Sequence, residues 1–219
     1  MRFAEVTLAA PAARLAELDE FYAGTLGLSR TGHGAGWYEV GETRLRFEAA
    51  PGEPFYHFAL LVPGDRFDAA HAWAAERVEL AGGVFDFDAW DARACYLHDP
   101  AGSIVELIAL RGIAESGADG PFAGGELAGV SELGLVGDPR SLLEPLASEL
   151  AIELWDGLED DGDLAFAGER GRTLILAPEG RGWLPTRRPA EPHPVAARVR
   201  SPRRGRLELD GGRYRIEGT

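Results

Sequence analysis

Short runs in which apolar and polar residues alternate are separated along this chain by segments in which apolar residues recur every three or four positions. Alternation is typical of a strand with one buried face, and the longer period is typical of a helix that packs against a sheet. Leu15, Leu18, Tyr22 and Leu26 follow the helical period, as do the apolar residues of 67–78. The pattern predicts strands and helices within one recurring arrangement.

A strand, a helix and a segment that leads the chain back after the helix occur three times in the same order. Each copy opens with Glu or His in a strand-like run and closes on a leucine after its helix: Glu5 to Leu28, His57 to Leu80, and Glu132 to Leu154. Repetition of this kind indicates that one structural unit has been duplicated. The copies therefore predict modules that share one fold.

Short strand-like runs with turn signals follow the first two helices. The first module has such runs at 37–40 and 43–48, and the second has them at 84–87, 94–97 and 103–108. The last two runs are joined by Asp-Pro-Ala-Gly, a sequence that suits a tight turn. A β-meander is therefore predicted after each of these two helices.

The chain divides into two halves at a segment rich in Gly and Ala. Residues 1–110 are predicted to form one domain of two modules, 1–52 and 53–110, and residues 129–219 a second, degenerate domain. Residues 111–128 form the predicted linker. The chain ends in three short strand-like runs with no helix between them, which predicts a fourth module that has lost its helix.

Three phrases of the sequence occur together in this order. Phe21-Tyr22 precedes Leu-Gly-Leu after the first strand, His57-Phe-Ala-Leu opens the second module, and Asp99-Pro-Ala-Gly-Ser-Ile-Val-Glu106-Leu-Ile closes it. On these residues the N-terminal half resembles the vicinal-oxygen-chelate superfamily of glyoxalases, bleomycin-resistance proteins and extradiol dioxygenases. The resemblance implies an α+β fold of βαβββ modules, with two paired modules in the N-terminal half and a degenerate pair in the C-terminal half.

The resemblance also implies a metal site, because family members place metal ligands on the first and last strands of each module. By position, Glu5, His57 and Glu106 are the predicted metal ligands, and Glu48 is the predicted catalytic base or a further ligand. One imidazole with carboxylates suits a divalent metal such as Mn, Fe, Ni or Zn without selecting one of them. The metal would act as a Lewis acid on a small oxygenated substrate.

Other interpretations of these residues stay open. His57 and Glu106 also suit a hydrogen-bonded pair without metal, and Glu48 also suits a surface pair with Arg46. Metal-binding family members generally have His or Gln where this chain has Glu5, which disfavours ring cleavage in particular. The overall alternatives are a non-catalytic module that sequesters a small molecule, as bleomycin-resistance proteins do, and a structural protein whose cavity is filled.

The C-terminal half contains a second set of candidates and a loop of interest. Glu132, His193 and Glu217 repeat the placement of the first set. The proline-rich segment 181–194 is predicted to be an extended loop that either closes over a cavity or packs against the sheet, and closure would offer arginines to an anionic substrate. The acidic run 159–163 is predicted to be a solvated turn, since it lacks the ligand spacing of a calcium loop.

Composition excludes several classes of function. A net charge of -14 and a pI near 4.8 disfavour a nucleic-acid partner, which needs a positive surface. The single cysteine, Cys95, excludes an intramolecular disulfide and a CxxC zinc site.

No membrane span or signal peptide is evident, so we expect a cytoplasmic protein. Every basic residue is Arg, which indicates a bacterial, GC-rich coding bias. The expected partner is a small molecule, for a monomer or a homodimer.

Overall fold

The computed structural model describes residues 1–31, 36–158 and 164–219. The acidic run 159–163 and His33 lie outside the described residues. Four modules are present. The first contains β1 (Arg2–Pro11), α1 (Leu15–Asp19) with a π-helical continuation (Glu20–Thr25), β2 (Ser29–Arg30), β3 (Trp37–Val40) and β4 (Thr43–Ala50). The second contains β5 (His57–Val62), α2 (Phe67–Ala75), β6 (Phe85–Phe87), β7 (Ala92–His98) and β8 (Ile104–Leu110).

The third and fourth modules follow after the linker. The third contains β9 (Gly129–Val136), α3 (Pro139–Leu150), β10 (Leu154–Gly157), β11 (Ala165–Glu169) and β12 (Arg172–Ala177). A hairpin of β13 (Gly182–Trp183) and β14 (Arg188–Pro189) leads to β15 (Val195–Arg200), β16 (Gly205–Leu209) and β17 (Tyr214–Gly218). The predicted α+β fold of repeated βαβββ modules is confirmed, and the described part of the fourth module has strands without an α-helix.

The strands form two large sheets, and each sheet joins one module from each half of the chain. The first sheet has the order β16-β17-β15-β1-β4-β3-β2, and the second has the order β10-β11-β12-β9-β5-β8-β7-β6. Modules one and four therefore share a sheet, as do modules two and three. This differs from the expected pairing within each half, because β9 follows the linker onto the free edge of β5 and leaves the edge of β1 to β15. The predicted domain limits, 1–110 and 129–219, mark where the repeats begin and end in the sequence, and as domains they stay a prediction.

The core lies mainly between the helices and the two sheets. One large cluster of buried apolar residues contains members of both sheets and of all three helices, including Leu18, Tyr22 and Leu146. A second cluster covers the opposite face of the second sheet, where Ala59, Leu61 and other apolar residues alternate with the helix-facing ones. We call this opposite face the site face. The buried faces of the strands and helices thus follow the alternation and the helical period of the sequence.

Arg66 of the second module forms several hydrogen bonds to the linker. The Arg66 guanidinium, which is buried, donates to the Glu126 carboxylate at 3.0 Å and to the carbonyl oxygens of Ala118 and Gly120, also at 3.0 Å. These bonds fix the path by which the chain passes from β8 to β9. Among the described residues, no helix is long and apolar enough to cross a membrane.

Candidate metal centre

Three buried ligand groups meet on the site face of the second sheet. His57 at the start of β5, Glu106 in β8 and Glu132 in β9 each offer one atom, and these atoms all lie within 4.8 Å of one another. His57 is 5% exposed, Glu106 3% and Glu132 4%. The Nε2 atom of His57 lies 3.3 Å from Oε2 of Glu106. The structure therefore brings a His and two Glu side chains into one buried cluster.

The position of Glu106 is fixed by the turn that precedes β8. The carboxylate of Asp99 accepts backbone N–H bonds from Ala101 and Ser103, both at 2.9 Å, and the hydroxyl bond of Tyr22 at 3.0 Å. Gly102 has φ of 82°, a conformation that favours glycine. The Asp-Pro-Ala-Gly phrase of the sequence thus forms a turn locked to the first helix, and this turn sets where β8 begins.

The cluster carries more negative charge than its surroundings favour. Burial raises the pKa of Glu132 well above its usual value, and the neighbouring charge of Glu106 raises it further. Burial also raises the pKa of Tyr96, with a further contribution from Glu106, so this hydroxyl keeps its proton. Two carboxylates in so small a buried volume favour a proton or a cation between them.

The donor set fits a divalent cation. Two carboxylates and an imidazole are the ligand types of Mn, Fe, Ni and Zn sites in proteins. Nδ1 of His57 is buried and has no hydrogen-bond partner among the described residues. Because a buried imidazole nitrogen without a partner costs free energy, His57 lacks the fully satisfied hydrogen bonding expected of a histidine with only a structural role. Among the His, Cys, Asp and Glu residues that the structure describes, this cluster has three members, and Ile175 of β12 lines the cavity beside them without a ligand atom.

Aromatic and aliphatic side chains enclose the cluster. A cavity of about 80 Å³ is lined by the three ligand residues together with Phe87, Trp90, Tyr96, Leu164, Phe166, Ile175, Arg181, Trp183 and Leu184. Two of these lining residues, Trp90 and Phe166, contact each other edge to face at 4.7 Å between ring centroids. The site is therefore apolar around a polar centre, which is typical of small-molecule sites.

The structure does not bring the predicted ligand Glu5 to His57 and Glu106. Glu5 lies in β1 of the first sheet, where its carboxylate pairs with Arg44 and Arg198. The reason is the module pairing: β1 and β5 belong to different sheets. Guanidinium groups already neutralise Glu5, so its surroundings are those of an ion-pair network and not of a metal site.

The predicted base Glu48 is likewise on the first sheet. It lies in β4, its side chain is 44% exposed, and its carboxylate pairs with Arg46 at 2.8 Å. This is the alternative surface pair that the sequence also allowed. The geometry gives Glu48 no access to the cluster around His57.

The second predicted set is divided between the two sheets. Glu132 joins the cluster, whereas Glu217 lies in β17 of the first sheet and pairs with Arg198 and Arg206 at 3.4 Å. The ring of His193 contacts Phe55, with centroids 5.2 Å apart, near the end of the proline-rich segment.

Sequence reasoning missed that Glu132 is the third member of the cluster around His57. The available signal was its place in the third module, which is the same as that of Glu5 in the first.

The segment 178–194 packs against the site face, and we call it the strap. It contains the β13–β14 hairpin, and Trp183 and Ala190 within it are buried. Arg188 does not point into the cavity: its guanidinium lies over the Phe55 ring and donates to the carbonyl of Gly102 at 2.8 Å. The strap therefore combines both sequence interpretations, since it packs on the sheet and covers a cavity.

No protein-family model matches the chain, and no curated protein matches it in sequence. Solved structures do match. A structure named as that of a "putative dioxygenase" from Bacillus subtilis subsp. subtilis str. 168 aligns with 100% of this chain and 85% of its own, at 15% identity and a TM-score of 0.59. A variant of glyoxalase I from Zea mays aligns with 99% of this chain and 91% of its own, at 14% identity and a TM-score of 0.60. The chain therefore has a glyoxalase-like fold.

Proposed function

We propose that this protein is a divalent-metal-dependent enzyme of the glyoxalase/dioxygenase type that acts on a small oxygenated substrate. His57, Glu106 and Glu132 are the proposed metal ligands, so Glu132 takes the role that the sequence suggested for Glu5. The observation that carries the proposal is the convergence of these three buried groups within 4.8 Å inside an apolar cavity. A buried cluster with two carboxylates is costly unless a cation or a proton offsets its charge.

The residues of the cluster have distinct parts in this proposal. A bound divalent metal would polarise the oxygens of a chelating substrate and stabilise the negative charge that develops on them. In the metal-free protein Glu132, whose pKa is raised by burial and by Glu106, holds a proton that a metal would displace on binding. Tyr96 keeps its own proton beside Glu106 and helps to orient that carboxylate.

A non-catalytic binding module is the second candidate. It is favoured by the aromatic lining of the cavity, since Phe87, Trp90 and Trp183 can enclose a flat ligand without any chemistry. A binding module needs no metal, whereas the proposed enzyme does. Metal binding therefore discriminates between the two candidates.

The test is elemental analysis of the purified protein after exposure to Mn, Fe, Ni and Zn, beside His57→Ala and Glu106→Gln. The proposal predicts about one equivalent of metal in the wild-type protein and loss of metal in both variants. Metal-loaded protein is then screened with small dicarbonyl compounds, and with catechols as the comparison built on a ring. Equal metal content in the wild type and both variants would contradict the proposed site, and absence of metal from all three would favour the binding module.

A further inference from the structure

One tryptophan of the strap lies directly on the proposed metal ligand His57. The indole of Trp183 and the imidazole of His57 have centroids 4.8 Å apart and planes inclined by 8°. Trp183 is 3% exposed, so the indole is enclosed on its other sides as well. Stacked, desolvated rings of this kind contribute to stability beyond the area that they bury.

The place that the indole occupies is built into strand β9. A Cβ atom at Gly134 would lie 3.2 Å from Cζ2 and from Cη2 of Trp183, and 2.9 Å from the carbonyl oxygen of His57. Only glycine leaves room for the indole there, next to the strand that carries the ligand. We call the space between His57 and Gly134 the indole seat.

Hydrogen bonds within the strap hold its backbone together around the tryptophan, and one side chain connects it to the second sheet. Arg187 N–H donates to the carbonyl of Trp183 at 2.7 Å and closes the tip of the hairpin, while Ala190 N–H donates to the carbonyl of Arg181 at 2.7 Å. Arg188 connects the strap to the turn before β8 through Gly102. The indole is therefore held in its seat by several contacts in addition to its own stacking.

The space left beside the ligand cluster is small. The cavity of about 80 Å³ compares with roughly 300–1,000 Å³ for ordinary ligand pockets. The indole stacks on His57, so it lies directly beside the place where a ligand would bind, and Arg181 and Leu184 of the strap line the same cavity. The indole of Trp183 thus limits the size of the cavity at the place where a chelating ligand would bind.

We infer that Trp183 is the specificity-determining residue of this site. With the indole in its seat, the site takes small bidentate oxygen donors, such as a two-carbon dicarboxylate or hydroxy acid, and excludes chelators built on a ring. The inference deepens the proposed function and rests on it, because a chelating ligand requires the metal. The filling of the seat by the indole does not depend on the metal and is tested separately.

The first arm uses metal-free protein and free indole as the probe. Trp183→Gly empties the seat, and Trp37→Gly is the matched control, since Trp37 lies on the first sheet between Arg44 and Arg46. Indole should bind to Trp183→Gly at least tenfold more tightly than to the wild type or to Trp37→Gly, as measured by calorimetry. Equal binding to all three proteins would overturn the inference.

The second arm uses manganese-loaded protein with oxalate and tropolone, which both chelate through two neighbouring oxygens but differ in size. The wild type should bind oxalate, and Trp183→Gly should gain at least tenfold in tropolone affinity with less than a threefold change for oxalate. Tropolone binding that is equal in both proteins would contradict the inference. If neither the wild type nor the variant binds manganese, the proposed function fails. The experiment with free indole then tests by itself whether Trp183 fills the indole seat.

A second variant covers the case in which Trp183→Gly does not fold. Trp183→Leu keeps an apolar side chain in the seat and leaves only part of it open. The same two arms should then show gains of at least threefold for indole and for tropolone. Unchanged affinities in this folded variant would overturn the inference.

Discussion

Glu106 and Glu132 lie on either side of one residue of the central strand: Ala59 is the register partner of Glu106 in β8 and of Glu132 in β9. Since β8 and β9 come from opposite halves of the chain, the two carboxylates meet only when the second and third modules share a sheet. Their proximity within the buried cluster has consequences for stability as well as for ligand binding.

Glu132→Gln is expected to stabilise the metal-free protein at alkaline pH. The pKa of Glu132 is raised above its usual value of 4.5 in the folded state. Its contribution to stability is therefore present below about pH 4.5 and is lost as the pH rises through the folded pKa. The free energy of unfolding of Glu132→Gln should therefore exceed that of the wild type at pH 8.

Urea unfolding of both proteins at pH 5 and pH 8, with a chelator present, measures this difference. The advantage of the variant should shrink toward pH 5, because the wild-type carboxyl then holds a proton. A free-energy difference that is the same at both pH values would show that the charge of Glu132 does not destabilise the folded protein.

Metal should reverse the order of the two proteins. A ligand that binds only the folded state at 100 times its Kd stabilises that state by about 2.7 kcal/mol. The wild type should gain this stability in excess manganese, while Glu132→Gln should gain little. Thermal unfolding with and without manganese is the measurement, and equal stabilisation of both proteins would argue against Glu132 as a ligand.

The turn before β8 provides an independent pH dependence through Asp99. Burial raises the pKa of Asp99 to about 6 from its usual 3.8. The contribution of Asp99 to stability is therefore complete below about pH 3.8 and is lost as the pH rises through 6. The shift corresponds to about 3 kcal/mol. Asn at this position keeps an oxygen that can accept the N–H bonds of Ala101 and Ser103 and does not titrate.

The wild type should therefore lose stability relative to Asp99→Asn between pH 4.5 and pH 7.5. Chemical denaturation of both proteins across this interval gives the difference directly. A difference that does not change with pH would mean that burial does not raise the pKa of this carboxyl.

Gly134→Ala tests the packing of the indole seat. The added methyl group would meet the Trp183 indole and the His57 carbonyl, and overpacking of this kind costs about 1–3 kcal/mol. Gly83→Ala is the control, because a Cβ atom there meets no atom within 4 Å. Thermal denaturation should show a lower Tm for Gly134→Ala alone, and equal Tm values for the two variants would contradict the close packing.

Much of the fold could be predicted from the sequence because alternation and helical period are local signals. The two-residue repeat of a strand places His57 on the same face as Ala59 and Leu61, and in the structure these residues lie together on the site face. The turn at Asp99 was equally local, since proline and glycine restrict the backbone at the positions where they stand.

The partners of each module could not be predicted in the same way. Glu5 and Glu132 hold the same place in their modules, and their local sequences do not distinguish them. The difference arises from register: Arg198 and Arg44 are the partners of Glu5, whereas Ala59 and Thr173 are the partners of Glu132. Sheet pairing therefore decides which carboxylate pairs with arginines across the first sheet and which enters the buried cluster of the second sheet.

The position of Trp183 on His57 could not be predicted from local sequence patterns either. The path of the strap depends on tertiary contacts, such as Arg188 over Phe55, that join residues far apart in the sequence. A proline-rich segment indicates an extended loop, but its composition does not indicate which face of which sheet it covers.

The measurement that tests the account most directly is manganese affinity, by equilibrium dialysis, of the wild type, Glu132→Gln and Glu5→Gln. The two variants remove one carboxylate each from equivalent places in the third and first modules. We predict about one equivalent of manganese for the wild type and for Glu5→Gln with similar affinity, and at least tenfold weaker binding for Glu132→Gln. Weakened binding in Glu5→Gln, with unchanged binding in Glu132→Gln, would contradict the assignment of the site to the second sheet.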